Sequence, residues 1–200
     1  MYIRTEKVSS WKQINYRNVD SMLSVQFIYD LYDQYSFFDT YDSLVTIREK
    51  CEYLVNTIAS LTNLKEFGEY LYRLVVIDGL FLNEDRHLHN IAVIQKQDNT
   101  FDYCPIFDNG AALLSDTRLD YPLSENTLDL LKTVKSKTFD DEFINIIDAL
   151  EKLYPSSISF SFTNEIIDNI LQDIKIYYDS VIKRVNQVLK YQRNKYEYFF

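Results

Sequence analysis

Two hundred residues carry 21 Lys and Arg against 30 Asp and Glu, a formal charge of −9. This works against a broad duplex-DNA surface, because phosphate binding depends on clustered cations. A 46% hydrophobic content with 16% aromatics supplies a packed interior and argues against disorder, while three glycines in all leave no G-x-G-x-x-G or Walker A loop, so any nucleotide must be held differently.

No apolar run reaches the roughly 18 residues needed to span a bilayer, and the start "MYIRTEKVSSWK" lacks the apolar core of a secretory signal. Cys51 and Cys104 stand alone, without metal-ligand spacing, and read as buried thiols in a reducing compartment. A cytoplasmic location, no membrane contact and no nucleic-acid partner are the expectations. The length suits one domain over residues 1–200.

In chain order, Met22, Val25, Ile28, Tyr32 and Tyr35 fall at helical spacing across residues 20–36. Leu44, Ile47, Cys51, Leu54, Ile58 and Leu61 do the same across 42–61, which predicts two amphipathic helices. A third begins near Leu64 and turns apolar on all sides at Leu74 to Ile77, as suits a helix at the centre of the fold. Asp78 interrupts that run; a lone buried carboxylate is expensive, so it is expected to accept hydrogen bonds from the loop that follows.

After Asn90, "IAVIQ" and "FDYCPIF" are β-prone runs joined by the polar "KQDNT", which reads as a β-hairpin. The helical period returns from Phe139 to Tyr154, ahead of Pro155. Thr163 or Asn164 then caps a long final helix whose stripe from Ile166 to Leu189 is expected to pack into the core, with Lys183, Arg184, Lys190 and Arg193 toward its negative end. The fold class predicted is mainly α with a small β-hairpin.

Chemistry concentrates in "NEDRHLHN", residues 83–90. Asp85, His87 and Asn90 form D-x-H-x-x-N, and "FDNG" after the hairpin places Asp108 and Gly110 in D-x-G. A hairpin returns the chain to where it started, so Asp85, Asn90 and Asp108 are expected to face one site. Phosphoryl transfer from ATP needs one carboxylate at the acceptor hydroxyl and hard oxygen ligands that hold Mg²⁺ against the phosphates. Asn90 and Asp108 fit the second role, which leaves Asp85 for the first. Singly, each has a plainer use: Asp85 capping a turn, His87 buried and satisfied, Asn90 opening the hairpin.

The segment "NEDRHLHNIAVI…FDYCPIFDNGAALL" resembles the HipA-like serine/threonine kinases, with their shorter secreted and toxin-like relatives, and more distantly the phosphoinositide 3- and 4-kinases. The resemblance is closest over residues 66–115. It implies a protein-kinase-like carboxy-terminal lobe, with ATP and Mg²⁺ as cofactors and a protein Ser/Thr hydroxyl as acceptor. Asp85 is then the catalytic base, and Asn90 and Asp108 are the nucleotide-metal ligands. His87 stands where ordinary protein kinases place a lysine, so the resemblance has it contact the transferring phosphate or brace the loop. Gly110 would let the chain turn sharply, and 111–122 would be the activation-segment equivalent, with Ser115 and Thr117 as candidate phosphate acceptors. Arg86 is assigned to a salt bridge or to pairing with the following loop.

The family's amino-terminal lobe, with its phosphate-covering loop and ATP lysine, has no counterpart in this sequence. The expectation is either a lobe that works with an N-lobe on a separate polypeptide, or with an antitoxin-like partner, or a fragment of a longer kinase. The competing readings are a non-catalytic interaction module and a lipid or small-molecule kinase.

Overall fold

The computed structural model describes residues 24–27 and 34–200. Strand β1 is Ser24–Phe27, where the spacing predicts a helix over 20–36. The cause is non-local: β1 lies antiparallel on the edge of β2 (Ala92–Gln95), with Ser24 opposite Gln95 and Phe27 opposite Ala92. An open strand edge presents a row of unpaired backbone groups, and β-prone Val25 and Phe27 answer it better than an isolated helical turn does. Residues 20–23 and 28–33 of that expected helix lie outside the described residues. β3 (Phe101–Tyr103) completes the sheet in the order β1-β2-β3. β2 and β3 make the predicted hairpin, whose turn has Asn99 in the left-handed region and Asp98 accepting from Thr100.

Helix α1 (Gln34–Ser43) stops before Leu44, and α2 (Ile47–Thr62) restarts behind a capping box in which Thr46 and Glu49 satisfy each other's backbone donors. The single helix expected over 42–61 is therefore divided at its amino-terminal end by a cap. α3 (Phe67–Phe81) is the central helix, buried on most of its faces. Leu54, Ile58, Leu71 and Ile147 are almost fully enclosed around it, each contributing about 1.5–3 kcal/mol of hydrophobic burial. At Gly68 a Cβ would overlap the ring of Tyr154, so glycine here lets two elements approach.

α4 (Thr127–Leu130) is a single turn capped by the Asn126 side chain. α5 (Phe143–Leu153) packs its apolar stripe on α3 and α2. The long final helix is two helices, α6 (Asn164–Asp173), capped by Thr163, and α7 (Asp179–Lys195). The stripe is not continuous core: Ile170 is 59% exposed, and Ile176 and Tyr178 on the connection point to solvent. The chain reverses there because α6 and α7 pair with each other through Ile167, Leu171 and Val185, a contact one straight helix cannot make. Asp168 holds Lys190 and Asn186 across that pair. The chain then ends docked, with Tyr196 and Phe199 in the main core.

The described residues thus form seven α-helices, one of them the central apolar α3, with a small antiparallel sheet to one side. None of these helices is long and apolar enough to cross a membrane.

Candidate active site

The site begins where α3 ends. Leu82 takes a left-handed conformation as C-cap, and the Asn83 amide bonds back to Asp78 O at 2.9 Å, which turns residues 83–90 across the end of the helix. Asp78 does what its buried position demands. It accepts from Asn83 Nδ2 at 2.8 Å and from Arg86 through both carboxylate oxygens, at 2.8 and 3.0 Å. Burial pushes its carboxyl up, while the Arg86 and Asn83 hydrogen bonds pull it back.

Arg86, 2% exposed, organises the rest. Its Nη1 donates to Asn90 O at 3.0 Å and to Phe107 O at 2.6 Å, and its Nη2 also donates to Asn109 Oδ1 at 2.6 Å. With the two bonds to Asp78, all five guanidinium N–H donors are used. One side chain therefore fastens the end of α3, the end of the D-x-H-x-x-N loop and both neighbours of Asp108. The salt bridge and the pairing with the following segment, alternatives in the sequence, occur together.

Asn90 is pinned by its amide nitrogen, which donates to Asp85 O at 3.1 Å and lies 3.3 Å from His87 Nε2. This leaves Asn90 Oδ1 as the atom with ligand capacity. His87 thus faces Asn90, and its Nδ1 is buried without a hydrogen-bond partner among the described residues. That is the geometry of a brace. His89 is exposed and stacks near Phe38.

Asp108 lies beyond the hairpin in a left-handed conformation, φ 55°. Gly110, expected to supply the sharp turn, has no positive φ, and a Cβ there would meet nothing within 4 Å. The bend is carried by the aspartate itself, which tolerates this region better than most residues. Leu113 and Leu114 are also left-handed, and Leu113 N is tied to Phe81 O at 2.8 Å. Three such residues within seven positions is the kind of local strain that packing must hold in place.

As donors, an aspartate carboxylate and an amide oxygen fit a magnesium ion, which takes one or two protein oxygens and completes its shell with phosphates and water. Among the described residues no three His, Cys, Asp or Glu side chains gather into a metal site.

Beside the loop, Glu84, Tyr121, Lys137, Phe139 and Asp140 line an open cleft of about 710 Å³. Tyr121 Oη donates to Glu84 at 2.5 Å. The backbone of this wall is held from α7: Arg184, buried rather than solvated at the helix end, donates to the carbonyls of Tyr121, Pro122 and Glu125. Lys137 Nζ lies 2.8 Å from Asp85 Oδ1. The sequence reading did not single this lysine out; 52 residues separate it from Asp85, and nothing local marks it among other surface lysines.

No protein-family model and no curated protein sequence matches the chain. A solved structure does: the Helicobacter pylori proinflammatory kinase CtkA is similar over 86% of this chain and 68% of its own, with a TM-score of 0.57 and 16% sequence identity. The fold is kinase-like.

Proposed function

We propose that this chain is the helical lobe of an ATP- and Mg²⁺-dependent phosphotransferase of the HipA-like type, acting on a Ser or Thr hydroxyl of a protein. The observation that carries the reading is the Arg86 hub, which ties the loop of Asp85 and Asn90 to the segment of Asp108. Phosphoryl transfer asks little covalent chemistry of the protein and much positioning. Asp85 accepts the acceptor's proton. Asn90 Oδ1 and the Asp108 carboxylate hold the metal, which when bound neutralises charge on the phosphates. His87 keeps the Asn90 amide turned so that its oxygen is presented. With no glycine-rich loop in the sequence, covering the phosphates falls to residues outside those described or to another polypeptide.

The test is transfer of labelled γ-phosphate to a protein acceptor. Asp85→Asn should lower turnover by about 10²- to 10⁴-fold with an unchanged melting temperature, and chelating Mg²⁺ should stop it. Equal turnover in wild type and variant rejects Asp85 as the base.

A further inference from the structure

In phosphoryl transfer negative charge is spread over the three equatorial oxygens of the transferring group, and a site that speeds the reaction aims fixed positive charge at them. The two obvious candidates beside Asp85 are already committed. Arg86 has every donor engaged in the interior. His87 sets one ring nitrogen against Asn90 and buries the other. Neither presents a charge to the open side of the loop.

Among the described residues, a cation that does so comes from farther along the chain. Along 134–138 burial alternates: Val134, Ser136 and Thr138 point inward, Lys135 and Lys137 outward. Ser136 N bonds to Asp141 O at 2.9 Å, and Ser136 Oγ lies 3.3 Å from Thr138 N. The lysine backbone is therefore anchored on both sides while the side chain reaches across to Asp85. Its hydrogen bond to Asp85 raises the Lys137 pKa above the ordinary lysine value, so the amine stays charged at neutral pH. Lys135 is occupied by Asp141 at 2.7 Å. An ammonium has three donors, and the described residues engage one of those on Lys137.

We propose that Lys137 is a catalytic residue, whose ammonium group binds the transferring phosphoryl group beside the base Asp85. The assignment rests on the phosphotransferase reading above. In the step itself the acceptor oxygen bonds to the γ-phosphorus, and the bond from that phosphorus to the β,γ-bridging oxygen breaks. ADP leaves with that electron pair, and the acceptor proton passes to Asp85. Lys137 bridges the two partners of the exchange: it pairs with the carboxylate before the acceptor arrives, and with the equatorial phosphoryl oxygens as the proton passes and Asp85 becomes neutral.

As an exposed ion pair the contact contributes little to stability, so Lys137→Met should fold normally and the role can be tested directly. The full chain is melted with Mg²⁺·ADP, and again with aluminium fluoride added as a mimic of the transferring phosphoryl. A ligand bound only by the native state raises the melting temperature. Wild type should gain a first rise with Mg²⁺·ADP and a second with the fluoride. Lys137→Met should keep the first and lose the second, while Lys137→Arg keeps both. In γ-phosphate transfer to myelin basic protein, Lys137→Met should lose about 10²-fold in kcat with the KM for ATP unchanged.

An equal second rise in wild type and Lys137→Met overturns the assignment while leaving the phosphotransferase reading intact, as does unchanged turnover, or increased turnover, which would make the pair inhibitory. No response of the wild type to Mg²⁺·ADP together with no γ-phosphate transfer removes the phosphotransferase reading, and the Lys137 assignment with it.

Discussion

At the scale of single residues, Arg86 sets the geometry of the site. Replacing it by Met leaves Asp78 buried without its charge partner, which costs about 3–5 kcal/mol. Arg86→Lys should fare little better, since an ammonium has three donors on one atom and cannot span the five directions the guanidinium serves. Urea denaturation of both variants checks this; a loss below about 1 kcal/mol in either would mean that the hub carries no strain of the loop. Much of this network was legible in advance, because Asp78, Asp85, Arg86 and Asn90 lie within 13 consecutive residues and their types already demand partners. Lys137 was not, because its role exists only after 52 residues of chain have folded back. Gly110 misled for the opposite reason: glycine permits a left-handed turn without requiring one, and here Asp108 makes it.

At the scale of elements, the hairpin and α3 could be read from local pattern because each is specified by its own turn or apolar run. Strand β1 and the break between α6 and α7 could not. Their spacing is helical, and what decides against a helix is a partner distant in sequence, the β2 edge in one case and the reverse face of α6 in the other. The α6–α7 pair also makes a pH-dependent prediction. Hydrogen bonds from Lys190 and Asn186 hold the Asp168 carboxyl below its ordinary value of 3.8. A depressed folded-state pKa stabilises above the unfolded value, and the contribution disappears as pH falls through the folded value. Asp168→Asn should therefore melt slightly below wild type at pH 7, and the difference should close in acid once the pH is well below the ordinary 3.8. A difference that persists in acid would show that the carboxylate charge is not what pairs the helices.

At the scale of the whole molecule, one core spans α2, α3, α5, the sheet and the final residues, and Cys51 lies inside it with no exposed surface. Burial pushes the Cys51 thiol up to about 12 and that of Cys104 to about 11, against an ordinary value of 9.0. Raised folded-state values stabilise below the unfolded pKa, and that benefit is lost as pH rises toward the folded ones. Because the thiolate is the reactive form, iodoacetamide at pH 8 should label Cys51 only through global opening. Mass spectrometry across a urea series should show its labelling rate rising in step with the unfolded fraction; fast labelling in native buffer would mean that the core opens locally. Tyr196 and Phe199 dock into this same core, so it closes only when segments far beyond α3 in sequence have come back onto it, and pairings that distant are the ones that slow folding.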